Sequence, residues 1–276
     1  MTTKKHFPIS YFAYSMTPKA IFSHRDSFRW WQNFLLIVFL NALIMIPVTL
    51  HYAQLKTYSV EKIVNRALDP ITDKTFLAFS QGEITANRYQ GDSQLIRDGQ
   101  VALAVLPSPQ EKERLKAKKL RHIILTEKRW IFVTPEGKMM TAQVSGKEMS
   151  LKQFKDVKAV KQFINDQWYQ SNKASLLAYL LLSFSLLIYF ATFLVIGLGT
   201  LFLSLSRKSR LFDIKSYSEC FGLMVNCFAL PTLVSVGISL FASNPLFVMH
   251  TQVFGTLLML TLVFYKTHFR DDIRAY

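Results

Sequence analysis

The sequence contains two cysteines, the residue type whose side chain can form a disulfide or bind a metal ion. Cys220 and Cys227 stand seven positions apart in a long apolar segment, a spacing that places both on one face of a helix. A metal site would need further cysteine or histidine ligands close by, and the segment contains none. The charged part of the chain has no thiol that could form a disulfide with either cysteine. We therefore interpret both as small buried apolar residues and predict no metal site and no cofactor.

The common catalytic motifs are missing from the sequence. It has no G-x-x-x-x-G-K-[ST] phosphate loop, no H-E-x-x-H, no G-x-S-x-G and no C-x-x-C. His250 is the one histidine within an apolar segment, and it lies near the end of that segment. We interpret it as a hydrogen-bonded histidine rather than a proton relay. Because no catalytic constellation can be assembled from the sequence, we predict that the protein is not an enzyme.

Basic residues are concentrated in the segment 111–122, which reads EKERLKAKKLRH and carries six Lys or Arg in twelve positions. One interpretation is a surface for anionic polymers of the cell envelope or for lipid headgroups, which clustered positive charge attracts. The other interpretation is a helix or loop whose charges are solvated. The candidate interaction residues of this segment are Lys112, Arg114, Lys116, Lys118, Lys119 and Arg121.

Four apolar segments organise the chain. The longest, 174–206, runs for thirty-three residues without Asp, Glu, Lys, Arg or His. The other three are 31–50, 220–241 and 246–265. About 20 apolar residues cross the roughly 30 Å hydrocarbon core of a bilayer as a helix. The sequence therefore predicts four transmembrane helices in contact with the lipid bilayer.

Three amide side chains interrupt these apolar segments: Asn41, Asn226 and Gln252. An amide inside a membrane usually forms a hydrogen bond to a neighbouring helix, so we expect interhelical bonds, with Asn226 reaching Asn41. Alternatively, the three amides line a polar path through a transporter or channel subunit. The four segments contain no Asp, Glu, Lys or Arg, which ion-coupled transporters normally carry at this depth.

The charged segment 51–173 is predicted to fold as an α+β domain. A continuous apolar run at 101–106 is typical of a buried strand. The stretches 122–126, 130–134 and 138–144 predict a strand meander, and Pro-Glu-Gly marks the turn before the last of them.

The same segment contains patterns that predict further elements. Apolar spacing predicts a short helix over 60–68, and the run 76–80 predicts a strand. A second helix is predicted over 151–169, with Ser150 and Gln153 as its capping box, leading towards the long apolar segment.

The distribution of basic residues indicates how the chain is oriented. The segments 1–30, 207–219 and 266–276 carry five, four and three Lys or Arg, whereas 242–245 carries none. Positive residues favour the cytoplasmic side, so we expect a multi-pass plasma-membrane protein with both termini in the cytoplasm and 51–173 outside. These flanks account for much of the net charge of +15, and we predict no nucleic-acid partner.

The N-terminal segment 1–30 is basic and aromatic. Thr17 followed by Pro18 is the pattern of an N-cap with proline at the first helical position. Two interpretations remain open, a helix lying in the membrane interface and a cytoplasmic tail with a positive flank.

The order of parts resembles a known family. Ser15-x-x-Pro18-Lys19, with Arg25 downstream, precedes one apolar segment, a mixed α/β domain and three closing apolar segments. This arrangement resembles a family of Gram-positive bacterial membrane proteins of unknown function, some of which are labelled maltodextrin-utilisation proteins. The resemblance covers the whole chain and rests on its architecture and this one motif. It implies an association with maltodextrin uptake and brings no catalytic residues. We take Ser15, Pro18, Lys19 and Arg25 as candidate interaction residues, and a helix start at the membrane surface is an equal explanation of the first three.

Together these observations predict an α-helical membrane protein with four transmembrane helices and an inserted extracytoplasmic α+β domain. The expected role is that of a non-enzymatic accessory protein for maltodextrin uptake or another envelope process. The expected partners are a membrane protein, such as a sugar-uptake system, and an anionic envelope polymer. The alternative is a transporter or channel subunit.

Overall fold

The computed structural model divides the chain into two compact units. The helical unit consists of Met1–Gln54 and Leu177–Tyr276, and the sheet unit is Leu55–Leu176. The structure describes residues 7, 9–117, 119–207, 211–241 and 244–271, without the side chain of Lys116. Among the candidate interaction residues, Lys118 therefore lies outside the described residues.

The secondary structure alternates between long helices and short strands. In chain order the helices are α1 (Ile9–Tyr14), α2 (Pro18–Ser23), α3 (Trp30–Ala53), α4 (Asp73–Ser80), α5 (Pro109–Lys116), α6 (Val157–Ser206), α7 (Tyr217–Ser239) and α8 (Pro245–Thr267). The strands are β1 (Glu83–Thr85), β2 (Arg88–Gln90), β3 (Gln94–Asp98), β4 (Val101–Val105), β5 (Arg121–Leu125), β6 (Arg129–Val133), β7 (Met139–Gln143) and β8 (Glu148–Ser150).

Four of these helices, α3, α6, α7 and α8, are long and apolar enough to cross a membrane. The expectation of four apolar helices together with a sheet domain is thus confirmed. Helix α7 lies at the centre of the helical unit, because 61% of its apolar window is buried, against 28–39% for the other three. Their remaining apolar surface is exposed, as expected for helices that face lipid.

Local sequence signals determine where the helices of this unit begin. The side chain of Thr17 accepts a hydrogen bond from the amide of Ala20, with Pro18 at the first helical position, as predicted. The side chain of Ser216 accepts in the same way from the amide of Glu219 at the start of α7.

The short helices α1 and α2 are packed into the helical unit. Tyr11, Ile21 and Phe22 are fully buried, in one apolar core with residues of α3, α7 and α8. Neither an interfacial helix nor a cytoplasmic tail, the two interpretations of the sequence, includes this packing. Trp30 and Trp31, in contrast, are exposed at the start of α3.

The sheet unit contains two sheets. The larger has the strand order β3-β4-β5-β6-β7, in which β4 and β5 are parallel and the other neighbours antiparallel. Helix α5 provides the crossover between the parallel strands, and Leu115 on α5 is buried with Ala102, Ala104 and Ile124. The smaller sheet is antiparallel, with the order β2-β1-β8. The strands predicted at 101–106 and for the meander are confirmed as β4 to β7.

Three other predictions for the sheet unit were wrong. The helix over 60–68 is only the 3₁₀ turn Val60–Lys62, because Arg66 adopts a left-handed conformation with φ 61°. The strand at 76–80 is part of helix α4, which begins with the reciprocal cap of Thr72 and Thr75. Phe79 is buried on one face of this helix, so the run is a helix with one buried face and not a strand with alternating buried and exposed residues.

The third wrong prediction is the helix start at Ser150. This residue is paired with Glu83 as the last residue of β8, so its backbone belongs to the sheet and its side chain makes no cap bond. A 3₁₀ turn follows, and α6 begins at Val157. The carboxylate of Asp156 accepts from the amide of Ala159 at 2.7 Å and so caps α6.

Candidate functional site

Among the described residues of the helical unit, Arg25, which follows α2, donates five hydrogen bonds. Its Nε donates to Glu219 Oε2 at 2.9 Å, and its Nη1 and Nη2 donate to the two carboxylate oxygens of Asp271 at 3.1 and 3.3 Å. Two further bonds reach the carbonyl oxygens of Phe22 and Asp213, at 3.0 and 2.9 Å. Through these hydrogen bonds the guanidinium connects four parts of the helical unit: α2, the segment before α7, the first turn of α7 and the segment after α8.

The environment keeps this guanidinium charged. Burial leaves Arg25 only 7% exposed and disfavours its charged form, but the hydrogen bonds to Asp271 and Glu219 outweigh that cost and raise the pKa of Arg25. The carbon Cζ also lies 4.2 Å from the ring centroid of Phe22, a cation–π contact. We refer to Arg25, Glu219, Asp271 and Asp213 as the arginine node.

Further contacts hold the N-terminal segment against α7. The side-chain amide of Asn226 donates to the carbonyl oxygens of His24 at 3.2 Å and Ile21 at 3.5 Å. The hydroxyl of Tyr11 donates to the carbonyl oxygen of Val225 at 2.7 Å. Asn226 therefore binds the backbone of the N-terminal segment, where sequence analysis had expected a bond to Asn41.

Glycine at position 222 allows this close approach. A β-carbon there would collide with the carbonyl oxygen of Arg25, so only Gly222 lets the backbone of the N-terminal segment lie directly on α7. The other residues of the N-terminal motif are placed less centrally. Ser15 is buried, Pro18 is half-buried and begins α2, and Lys19 is exposed on α2.

A second polar cluster lies among the apolar helices, and each of the four contributes one residue. Oδ1 of Asn41 on α3 accepts from Thr192 Oγ1 on α6 at 3.0 Å and from Gln252 Nε2 on α8 at 3.5 Å. The same Gln252 nitrogen donates to Thr232 Oγ1 on α7 at 3.0 Å. All four side chains are buried. We refer to them as the amide cluster.

Two of the three amides of the apolar helices form the interhelical contact expected from the sequence. Asn41 and Gln252 meet, as interhelical partners should, whereas Asn226 belongs to the separate contact with the N-terminal segment. Thr192 and Thr232 carry no sequence signal of this role, because hydroxyls in apolar helices commonly bond to their own backbone. Thr232 also does so, donating to the carbonyl oxygen of Phe228 at 2.7 Å.

The basic residues of 111–122 are distributed over two elements of the sheet unit. Arg114 on α5 and Lys119 after it are exposed, and Lys112 is half-buried on α5. Arg121 begins β5, and its Nη1 donates to the carbonyl oxygen of Asn65 at 2.5 Å. The backbone atoms of Lys116 end α5.

The cysteines and histidines do not form a reactive site within the described part of the chain. Cys220 and Cys227 are buried free thiols, and no group of three or more His, Cys, Asp or Glu there could hold a metal ion. His122 is buried in β5 with its Nδ1 2.8 Å from the carbonyl oxygen of Leu120. Burial lowers the pKa of His122, with the Leu120 carbonyl opposing the shift.

Comparison with known proteins points to one group of relatives. No family model matches the chain, and no solved structure matches it. Over 266 residues the chain is 29% identical to the maltodextrose utilization protein MalA of Streptococcus pneumoniae, covering 96% of this chain and 97% of the relative. Over 277 residues it is 23% identical to the putative maltodextrin utilization protein YvdJ of Bacillus subtilis, covering 97% and 92%. The family resemblance read from the sequence is confirmed: this chain is, over nearly its whole length, a homologue of Gram-positive proteins named for maltodextrin utilisation.

Proposed function

We propose that this chain is an integral membrane accessory protein of maltodextrin utilisation and that it is not an enzyme. The observation that carries the proposal is the similarity to the two relatives, which extends over nearly the whole of each chain. Their names speak of utilisation and contain no enzymatic term. The proposed role in maltodextrin utilisation therefore rests on homology over nearly the whole chain. The structure supports the proposal that this role is an accessory one.

The proposal places the protein in the plasma membrane as a multi-pass protein. Four helices have the length and apolar composition to cross a bilayer, and their outward faces are rich in exposed Leu and Phe. The positive charge of the short segments favours cytoplasmic termini and an extracytoplasmic sheet unit. The arginine node then stands at the cytoplasmic end of the helical unit.

The hydrogen bonding of the helical unit supports an accessory role over transport. The polar groups among the apolar helices bind one another in the amide cluster, and Asn226 binds backbone carbonyls. A solute path would need such groups to face a solute instead. The buried arginine node likewise serves internal contacts that hold the N-terminal segment in place.

One observation favours the alternative of a transporter or channel subunit. Among the described residues, Nδ2 of Asn41 and Oε1 of Gln252 are buried without a hydrogen-bond partner. An unsatisfied donor and acceptor of this kind could bind a hydroxyl-bearing solute that passes between the helices.

An accessory protein needs a partner, and we propose a membrane protein of a sugar-uptake system. The surfaces proposed for that contact include exposed Lys19 beside half-buried Pro18 on α2, and exposed Arg114 and Lys119 beside half-buried Lys112 in the sheet unit. Affinity purification of the full chain from native membranes should recover such a protein.

Reconstitution distinguishes the two proposed functions. The purified full chain in liposomes is expected to move no labelled maltodextrin by itself. Uptake above that of protein-free liposomes, abolished by replacing Asn41 and Gln252 with leucine, would replace the accessory proposal with the transporter.

A further inference from the structure

The sheet unit brings Arg88 together with two adjacent cations, Lys128 and Arg129, that are distant from it in sequence. Arg88 begins β2, whereas Lys128 and Arg129 stand at the turn into β6. All three are exposed and line one cavity of about 300 Å³. The other lining residues are Ala86, Asn87, Gln143 and Val144.

Backbone hydrogen bonds fix the positions of the chain segments that carry the three cations. The amide of Tyr89 donates to the carbonyl oxygen of Glu127 at 2.7 Å, which holds Arg88 beside the 127–129 turn. The amide of Val144 donates to the carbonyl oxygen of Lys128 at 2.9 Å, which holds that turn beside the end of β7. The cavity walls therefore do not depend on flexible loops.

The hairpin between β1 and β2 forms the remaining wall. Ala86 and Asn87 at its tip have φ of 50° and 61°, the left-handed pair typical of a two-residue turn. The amide of Gly146 donates to Oδ1 of Asn87 at 2.9 Å, and the amide of Ala86 donates to the carbonyl oxygen of Lys147 at 2.8 Å. The position of Arg88 next to this tip is thus set by bonds on both sides.

The cavity lining is rich in positive charge and contains no acidic residue. The nearby acid Glu127 lies outside the lining, and its Oε2 is 3.9 Å from Arg88 Nη1. Both side chains are more than half exposed, and an exposed pair at that distance contributes little. The sheet unit as a whole has 21 Lys or Arg and 13 Asp or Glu between residues 55 and 176, a net charge of 21 − 13 = +8. Three mutually repelling cations in one cavity are stabilised by an anion between them.

We propose that this cavity binds a phosphate group, either of a phosphodiester polymer or of a lipid headgroup. Two arginine guanidinium groups can each donate two parallel hydrogen bonds to phosphate oxygens, and Lys128 adds a point charge. The side-chain amides of Asn87 and Gln143 offer further donors at the rim. The expected contact with an anionic envelope polymer is thereby assigned to residues outside the segment 111–122.

A pair of charge-matched variants tests the proposal on the full chain. The first combines Arg88→Gln, Lys128→Gln and Arg129→Gln, and the control combines Lys112→Gln, Arg114→Gln and Lys119→Gln. Both variants remove three positive charges from exposed or half-buried positions of the sheet unit. Their effect on the net charge, and so on the long-range electrostatic potential of the protein, is the same. Thermal unfolding should show that both variants remain folded.

Binding is measured for two phosphate sources at fixed ionic strength. The soluble probe is a short glycerol-phosphate oligomer, whose phosphates are diesters as in a phosphodiester polymer, titrated into the detergent-solubilised chain. The lipid probe is phosphatidylglycerol, compared with phosphatidylcholine in nanodiscs that hold the chain. In at least one arm, the cavity variant should lose about tenfold in affinity, while the control stays within about twofold of the wild type.

The arms also identify the source of the phosphate. Loss in the soluble arm indicates a phosphodiester polymer, and loss confined to the lipid arm indicates a headgroup. Equal loss in both variants would show attraction to the general positive charge and would overturn the proposal. It would be overturned equally if the wild type bound neither probe. None of these outcomes depends on a role in maltodextrin utilisation.

Discussion

Arg25 and Glu219 form a buried ion pair between residues 194 positions apart in the sequence, with 2.9 Å between Nε and Oε2. Arg25 is 7% and Glu219 14% exposed, so water screens the pair weakly. Because Asp271 binds the same guanidinium, one side chain connects the N-terminal segment, α7 and the segment that follows α8. The folded position of the N-terminal segment therefore depends on a residue far downstream.

Breaking this ion pair should destabilise the helical unit. Arg25→Gln leaves the largely buried Glu219 without its charged partner, a change that costs up to about 3–5 kcal/mol where the pair is fully buried. The double variant Arg25→Gln with Glu219→Gln should be less destabilised than the sum of the two single variants, as thermal unfolding in detergent would measure. Arg29→Gln, at an exposed position of the same segment, is the control and should stay near the wild type. Strict additivity would contradict a direct pair.

Substitution of Gly222 should detach the N-terminal segment from α7. Gly222→Ala brings a methyl group into collision with the carbonyl oxygen of Arg25, whereas Gly237→Ala on the same helix places it in open space. The first variant should lower the melting temperature and make the first thirty residues sensitive to limited proteolysis. The second should unfold like the wild type or slightly later, since alanine favours a helix over glycine by about 1 kcal/mol. Matching behaviour of the two variants would count against the contact.

The amide cluster should contribute modestly to the association of the apolar helices. Asn41→Leu or Gln252→Leu removes an interhelical hydrogen bond, worth on the order of 0.6 kcal/mol and up to about 1.7 kcal/mol. Because the two residues share a bond, a double-mutant cycle should give a coupling energy of the same sign and similar size. Coupling within experimental error of zero would show that Asn41 and Gln252 do not interact.

The stability of the sheet unit should fall as the pH falls through the range where an unfolded histidine titrates. Burial lowers the pKa of His122 in the folded state, so the unfolded chain binds the proton more tightly. The contribution of neutral His122 is then present above about pH 6.5 and is lost below it. Amide hydrogen exchange of β5, corrected for intrinsic rates, should be faster at pH 5.5 than at pH 7.5.

The matched variants His122→Gln and His51→Gln separate this effect from a general one. The first should flatten the pH dependence of exchange in β5, because the titrating group is gone. The second removes a histidine of the helical unit and should leave that dependence intact. If His122→Gln retained the full dependence, another group would be responsible.

The proposed orientation can be read from the labelling of introduced cysteines. In a chain with Cys220→Ala and Cys227→Ala, new cysteines replace Arg114 in the sheet unit or Asp26 after α2, both exposed. An impermeant maleimide should label position 114 on intact cells freed of their wall and should spare position 26. Labelling of 26 alone would reverse the orientation.

The apolar helices and the central strands could be predicted from sequence because their signals are local. The charge-free run 174–206 and the continuous apolar run at 101–106 identify α6 and β4 without reference to any other part of the chain. The strands of the smaller sheet were missed because each has three residues. The turn at Ala86 and Asn87 also lacks the glycine that usually marks a tight hairpin.

The candidate sites were harder to predict because they join residues that are distant in sequence. Arg25 was recognised through its motif, but no local pattern connects it with Glu219 or Asp271. Asn226 was recognised as an interhelical residue, yet its acceptors are backbone carbonyls, which every residue carries. The three charges of the cationic cavity likewise come from two separate short stretches of sequence. The run 111–122 has a higher density of positive charge, so the sequence pointed to that run instead.

Sugar uptake in cells that lack this protein tests the proposed accessory role in maltodextrin utilisation. We predict that deletion slows the initial uptake of labelled maltodextrin and leaves glucose uptake unchanged. A plasmid copy should restore the rate, and a copy with Arg25→Gln should restore it only partly. Equal uptake of both sugars with and without the protein would contradict the account.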